Sequence, residues 1–161
     1  MSDKTYKILF VCLGNICRSP AAQAVMQRLV DERGLAHRFV IDSAGTSGYH
    51  DADLPDRRMR VHARPRGYEL THRSRRVESS DFETFDLIVA MDAANAADLR
   101  DMAATPDEAA KVVMMGDYIR RQRDHYDYVP DPYYEGSEGF ELVLDLLEDA
   151  CHNLLIDLLT E

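Results

Sequence analysis

Short apolar runs and longer stretches with helical spacing alternate along this chain. Residues 6–11 form an almost unbroken apolar run, which predicts a buried strand. Residues 38–42, 86–90 and 111–115 show similar apolar character over a few positions each and predict three more short strands. The candidate strands are therefore spread over most of the chain.

Helices are predicted in the stretches between and after these strands. Ser19 supplies an N-cap residue, Pro20 suits the first helical position, apolar side chains then recur on one face, and Gly34 supplies a stop. Residues 56–66 and 92–102 also show helical spacing. A final helix, expected to pack on the sheet, is predicted from apolar residues three and four positions apart: Phe140, Val143, Leu147, Cys151, Leu154 and Leu158.

The alternation of strands and helices predicts an α/β fold with a mostly parallel, doubly wound sheet. The chain has the length of one domain, so residues 1–161 are expected to form a single domain with an ordinary core. Ligands of such sheets bind beyond the carboxyl ends of the strands, and Cys12 directly follows the first strand. Residues 43–49, a Gly/Ser-rich stretch after the second strand, are predicted to be a loop.

Composition and charge narrow the classes of function. An apolar fraction of 45% and a charged fraction of 30% are those of a soluble globular protein, and no apolar run approaches the ~20 residues of a membrane span. No signal-peptide pattern precedes the first strand, and three cysteines do not suggest a disulfide framework, so a cytoplasmic location is expected. A net charge of -10 disfavours nucleic acid and anionic membranes as partners.

The segment between the first strand and the first helix carries the candidate chemistry. Cys12 and Arg18 are six positions apart in a loop that contains Gly14 and Asn15, both tolerant of positive φ. Successive N–H groups of such a loop can bind an anion, the helix N-terminus adds positive charge, and an arginine can bind two oxygens of one phosphate. The same field favours the thiolate form of Cys12, which is the nucleophilic form. Phosphate or a similar oxyanion is the expected ligand.

This loop and a second segment resemble the low-molecular-weight protein tyrosine phosphatase family. The run Val11-Cys12-Leu13-Gly14-Asn15-Ile16-Cys17-Arg18-Ser19-Pro20 is similar to the family's signature, and Asp131-Pro132-Tyr133-Tyr134 is similar to its acid loop. Residues 42–49, 71–72, 85–88 and 91–92 also resemble family segments and occur in the family's order. The resemblance thus extends over nearly the whole chain.

The resemblance implies a four-stranded parallel sheet flanked by helices on both faces, and hydrolysis of phosphotyrosine in proteins, and of aryl phosphates, through a phosphocysteine intermediate. It implies no metal and no cofactor. Cys12 is then the nucleophile, Arg18 the phosphate clamp and Asp131 the general acid. The other implied site residues are the phosphate-binding Leu13, Gly14, Asn15, Ile16 and Cys17, the loop supports Ser19, Ser43 and His72, and Tyr49 and Tyr133, which would line a slot for the substrate ring.

Cys17 is also a candidate for redox chemistry, because it lies in the same loop as the nucleophile. Peroxide oxidises a thiolate to a sulfenic acid, which condenses with a neighbouring thiol to form a disulfide. Cys17 is the expected partner of Cys12 in such a switch, and the alternative is that it only packs beneath the loop. The pair does not indicate zinc, because no second Cys or His pair occurs at ligand spacing.

Three other functions suit a cysteine and an arginine in such a loop. Arsenate reduction needs a relay of further cysteines, and none lies between Cys17 and Cys151. Phosphoarginine hydrolysis, found in a branch of the same family, goes with threonine four positions after the nucleophile, where this chain has Ile16. A catalytically idle phosphate-binding module is expected to lack the nucleophile or the acid, and both are present.

Eight arginines from Arg57 to Arg76 contrast with the acidic remainder of the chain. Such a run is most often a solvated face that pairs with acidic residues. The functional alternative is a positive rim that favours acidic phosphopeptides.

Overall fold

The computed structural model describes residues 4–48, 51–121, 126–133 and 136–161. The strands are β1 (Tyr6–Cys12), β2 (Phe39–Gly45), β3 (Leu87–Ala90) and β4 (Val112–Met114). The α-helices are α1 (Arg18–Glu32), α2 (Arg57–Ala63), α3 (Asp81–Thr84), α4 (Ala93–Met102), α5 (Pro106–Ala109) and α6 (Ser137–Leu159). Short 3₁₀ helices cover Ala36–Arg38, Arg64–Arg66 and Met115–Tyr118. Within these ranges, no helix is long and apolar enough to cross a membrane.

The four strands form one parallel sheet in the order β2-β1-β3-β4. Cys12 of the central strand β1 pairs with Gly45 of β2, and Val11 pairs with Ala90 of β3. The chain therefore adds β2 on one side of β1 and later adds β3 on the other side. A crevice forms where the direction changes, beyond the carboxyl end of β1. The predicted four-stranded parallel sheet is confirmed, and it places Cys12 beside this crevice.

Two hydrophobic clusters cover the two faces of the sheet. Phe10 of β1 belongs to the cluster that includes buried residues of α1 and α6, such as Leu147. Its neighbour Val11 belongs to the other cluster, which includes Leu99 of α4 and the apolar side of α3. Successive side chains of a strand point to opposite faces, so β1 serves both clusters. Helices therefore flank both faces, as predicted, and α6 packs on the sheet through its apolar stripe.

Several boundaries differ from the sequence predictions. Residues 43–45, predicted as loop, extend β2 because they continue the pairing with residues 10–12 of β1. The prediction of Ser19 as the N-cap of α1 is wrong, because the helix already begins at Arg18 and the Ser19 hydroxyl lies 3.0 Å from the Cys12 sulfur. Helices α3 and α5 were not predicted, since four residues are too few to show a helical period.

Candidate active site

Residues 12–18, from the last residue of β1 to the first residue of α1, are called the phosphate loop below. Flanking segments bind its carbonyl groups. The carbonyl oxygen of Cys12 accepts from Thr46 N–H (3.0 Å), that of Leu13 from Ser47 N–H (2.9 Å) and that of Ile16 from Asp56 N–H (2.6 Å). By contrast, no backbone N–H of residues 13–18 donates a hydrogen bond to any part of the chain that the structure describes. These N–H groups lie at the N-terminus of α1, where an oxyanion is bound most readily.

Asn15 and Gly45 allow the phosphate loop to lie close against β2. Asn15 has a φ of 55°, in the left-handed region that asparagine tolerates better than most residues. A Cβ added to Gly45 would lie 2.7 Å from the carbonyl oxygen of Leu13 and 3.1 Å from the backbone nitrogen of Asn15. Only glycine therefore fits at position 45 without movement of the phosphate loop.

The side chain of Asn15 connects the phosphate loop to its predicted supports. Its Nδ2 donates to the Ser19 hydroxyl (2.8 Å) and to the Ser43 hydroxyl (3.0 Å). Its Oδ1 accepts from the backbone N–H of Arg75 and from Nε2 of His72, both at 3.0 Å. Because Asn15 is fully buried, these bonds fix both the side chain and the loop that carries it. The structure thus brings Asn15 together with Ser19, Ser43 and His72, which the resemblance named as supports.

His72 belongs to this network as a hydrogen-bond donor to Asn15. Burial lowers the pKa of His72 below its ordinary value, and the nearby Arg75 lowers it further against the opposing effect of Asp42. The Oδ1 of Asn15 can only accept a hydrogen bond, so Nε2 is the nitrogen of His72 that carries the proton. Arg75 binds the carboxylates of Asp42 (3.1 Å) and Asp81 (3.0 Å), which holds this segment in place.

The sulfur of Cys12 lies at one side of a cavity of about 380 Å³. The cavity is lined by Cys12, Leu13, Gly14, Cys17, Arg18, Asp131 and Tyr133. The Ser19 hydroxyl is 3.0 Å from the Cys12 sulfur, and the Ser19 backbone nitrogen is 3.4 Å from it. Both groups can donate to a thiolate, and hydrogen bonds to a charged acceptor are stronger than neutral ones.

Arg18 is buried and anchored through one of its terminal nitrogens. Nη1 donates to Oδ2 of Asp92 (2.7 Å) and to the carbonyl oxygen of Val129 (3.1 Å). Burial acts to lower the pKa of Arg18, but electrostatic interaction with Cys12, the hydrogen bond to Asp92 and the charge of Asp131 outweigh burial and raise it. Within the described ranges, Nε and Nη2 donate no hydrogen bond, so two donors of the fixed cation are available to a ligand.

The acid loop, residues 129–133, is held across the cavity from the phosphate loop. The backbone N–H of Val129 donates to the carbonyl oxygen of Met91 (2.8 Å), while Arg18 binds the Val129 carbonyl. Oδ1 of Asp131 accepts from the backbone N–H of Tyr133 (3.0 Å), and Oδ2 is 3.8 Å from Nη2 of Arg18. The side chain of Asp131 is 45% exposed, so a substrate can reach it.

The remaining predicted site residues have different surroundings. Cys17 lines the cavity but is buried, and burial raises the pKa of its thiol well above the ordinary value, helped by the charges of Cys12, Asp56 and Asp131. Tyr49 lies outside the described residues, as does Tyr134. Among the described residues, no group of three or more His, Cys, Asp or Glu side chains is arranged to hold a metal ion.

Three residues that position the site were given no role in the sequence analysis. Asp92 caps α4 through Oδ1, which accepts from Asn95 N–H (2.8 Å), and holds Arg18 through Oδ2. An Asp at a helix start indicates a cap, but its second partner could not be read from the sequence. Gly116 lies against the backbone that leads into the acid loop, because a Cβ there would overlap the carbonyl oxygen of Asp127. Gly45 is the third.

Comparisons with known proteins give one family. The family model described as "Low molecular weight phosphotyrosine protein phosphatase" matches residues 7–161. A putative low molecular weight protein-tyrosine-phosphatase of Synechocystis is 51% identical over 152 residues, covering 94% of this chain and 96% of that protein. The human low molecular weight phosphotyrosine protein phosphatase is 37% identical over 155 residues, covering 94% of each.

Solved structures agree with these relatives. A protein tyrosine phosphatase from Entamoeba histolytica, crystallised with Hepes in its active site, gives a TM-score of 0.91 at 47% sequence identity. The match covers 96% of this chain and 97% of that chain. Coverage is therefore nearly complete on both sides.

Proposed function

The chain belongs to the low molecular weight phosphotyrosine protein phosphatase family and is a cysteine-dependent protein tyrosine phosphatase, and we propose that Cys12, Arg18 and Asp131 carry its chemistry. The observation that supports these roles is a single cavity lined by a thiol, a guanidinium and a carboxyl group. We propose a tyrosine-phosphorylated protein as the substrate, small aryl phosphates as substitutes for it, and the cytoplasm as the location.

In the first step, the thiolate of Cys12 attacks phosphorus in line with the departing oxygen. The S–P bond forms and the P–O bond to the phenol breaks, so a phosphocysteine replaces the ester. The N–H groups of residues 13–18 and the available nitrogens of Arg18 stabilise the equatorial oxygens, which carry the charge of the transition state. Arg18 needs no reorganisation for this, because Asp92 already holds its guanidinium.

Asp131 acts in both steps as the proton carrier. In its acid form it donates a proton to the phenolate oxygen, which is a poor leaving group at neutral pH. As a carboxylate it then removes a proton from the water that attacks phosphocysteine and releases phosphate. The exposure of Asp131 at the mouth of the cavity suits both tasks, since the leaving phenol and the incoming water use the same side.

Two features support the choice of ligand and substrate. Hepes carries a sulfonate, and its presence in the active site of the Entamoeba structure supports phosphate and similar oxyanions as ligands here. Tyr133 lines the cavity, which supports an aromatic wall for the phosphotyrosine ring, and Tyr49 stays a predicted second wall. The residue four positions after Cys12 is Ile16 and not the threonine that accompanies phosphoarginine hydrolysis, and this favours an aromatic phosphate ester as the substrate.

Replacement of Asp131 by asparagine tests the proposed roles. Asp131→Asn should lower kcat/KM for phenyl phosphate by about 10² to 10³, because the leaving group then departs without a proton. The loss should be much smaller for p-nitrophenyl phosphate, whose phenolate leaves readily. Asp107→Asn is the matched control, since Asp107 is an exposed carboxylate on α5, before β4 and thus away from the carboxyl ends of the strands. An equal loss with both esters would remove Asp131 as the acid.

A further inference from the structure

A series of hydrogen bonds connects the phosphate loop to the aromatic wall of the cavity through the start of α2. The backbone N–H of Asp56 donates to the carbonyl oxygen of Ile16 (2.6 Å). The Asp56 carboxylate accepts from Nε (3.2 Å) and Nη2 (3.0 Å) of Arg58. Nη1 of Arg58 in turn donates to the carbonyl oxygen of Tyr133 (2.9 Å). Arg58 therefore joins two parts of the cavity that are far apart in sequence.

The guanidinium of Arg58 also lies over two aromatic rings. Its central carbon is 5.2 Å from the ring centroid of Tyr133 and 4.9 Å from that of Phe140. Phe140 is a fixed support, because it is buried and stacks on His62 of α2 at 5.7 Å with an interplanar angle of 5°. A guanidinium within about 6 Å of a ring centroid is attracted to the ring. The Tyr133 ring is thus tied through Arg58 to the rigid part of the fold.

These contacts argue against a role for Arg58 as a docking cation for acidic peptides. Each of its three nitrogens already donates a hydrogen bond, two of them to Asp56. The carboxylate of Asp56 also compensates its charge at close range. The role that the geometry leaves for Arg58 is to hold Tyr133, a residue that is 39% exposed and lines the cavity.

We propose that Arg58 is a positioning residue that fixes the Tyr133 ring as one wall of the slot for the substrate ring, and so sets the preference for aryl over small non-aromatic phosphates. The inference rests on the proposed function of the Cys12 cavity. An exposed tyrosine must lose rotamer freedom to stack on a substrate, and Arg58 removes that freedom before the substrate binds. The affinity for a substrate without a ring should not depend on the position of Tyr133, because such a substrate has no ring to stack on it.

The test compares Arg58→Met with the matched variant Arg57→Met on two substrates. Arg57 is the exposed neighbour on the same helix, and its side chain makes no hydrogen bond or ion pair within the described residues. The substrates are a phosphotyrosine peptide and acetyl phosphate, which has a good leaving group and no ring. Arg58→Met should raise KM for the peptide about five- to tenfold, the equivalent of one lost aromatic contact. For acetyl phosphate, kcat and KM should change by less than about twofold.

Further arms separate positioning from a merely structural role. Arg58→Lys keeps the charge near the rings but loses the planar fork, so its peptide KM should lie between those of wild type and Arg58→Met. If Arg58→Met weakens both substrates equally, or matches Arg57→Met on the peptide, the proposal is overturned. A wild type inactive on both substrates would instead contradict the proposed function, so the two failures are distinguishable.

Discussion

Replacing Gly45 by alanine tests how closely β2 supports the phosphate loop. The added Cβ would lie 2.7 Å from the carbonyl oxygen of Leu13, 3.1 Å from the backbone carbon of Gly14 and 3.1 Å from the backbone nitrogen of Asn15. A carbon atom and a carbonyl oxygen come no closer than about 3.3 Å, so the backbone of either β2 or the phosphate loop must move by about 0.6 Å. No side-chain rotation can relieve the contact, because all three atoms belong to the main chain.

The expected cost follows from where that movement goes. β2 is fixed by its pairing with β1 along seven residues, so the phosphate loop is the part that yields. A misplacement of 1 Å at a reacting centre costs about 10²-fold in rate, so a shift of this size should lower kcat/KM about 10- to 100-fold. Overpacking should also lower the free energy of unfolding by about 1–3 kcal/mol.

The assay is steady-state hydrolysis of p-nitrophenyl phosphate, together with urea unfolding of the same preparations. Gly34→Ala is the control for stability alone. Gly34 has a φ of 68° with no atom near an added Cβ, so alanine should cost about 1 kcal/mol of stability through backbone strain. Its kcat/KM should stay at the wild-type value. A Gly45→Ala enzyme with wild-type kcat/KM would refute the reasoning, because the loop would then have tolerated the methyl group.

Two further predictions concern Cys17 and His72. After inactivation by peroxide, a dithiol should restore the activity of the wild type but not that of Cys17→Ser. The raised pKa of Cys17 predicts that the disulfide forms slowly while the thiol stays buried. Equal recovery of the two enzymes would show that Cys17 does not protect Cys12. Because the pKa of His72 is lowered in the folded state, the unfolded chain binds a proton at this residue more readily than the folded chain does. The contribution of His72 to stability is therefore kept above its ordinary pKa of about 6.5 and is lost as the pH falls below it. The unfolding free energy of His72→Gln, measured in urea, should therefore fall less than that of wild type between about pH 7.5 and pH 5; parallel pH profiles would contradict this.

The sequence predicted those parts of the fold that depend on local pattern. The apolar run of β1, the spacing along α1 and α6, and the strand–loop–helix order around Cys12 are all encoded by neighbouring residues. The extension of β2 to Gly45 was not, because residues 43–45 have little strand propensity of their own and are held by pairing with β1. Helix α5 is too short to show a helical period, but Thr105 and Glu108 have the spacing of a capping pair and mark its start: Thr105 Oγ1 accepts from Glu108 N–H (3.1 Å).

The candidate site divides in the same way. Cys12 and Arg18 are close in sequence, so their joint chemistry could be inferred directly, whereas Asp131 entered only through resemblance. Asp92 and Arg58 act through partners far along the chain, and neither partner can be deduced from local spacing. The reason why position 45 requires glycine becomes visible only in the folded structure, where the phosphate loop packs against it.

Direct detection of the phosphorylated enzyme tests the central claim, that Cys12 is the nucleophile. Asp131→Asn should be mixed with p-nitrophenyl phosphate, quenched in acid within the first turnovers, digested and analysed by mass spectrometry. The good leaving group lets the first step proceed without an acid, while loss of the carboxylate slows hydrolysis, so the intermediate accumulates. The account predicts one phosphoryl group, on the peptide that contains Cys12. It predicts none in the double variant that carries Cys12→Ser together with Asp131→Asn. Phosphate on any other residue, or a rapid burst of nitrophenol with an unmodified Cys12, would contradict it.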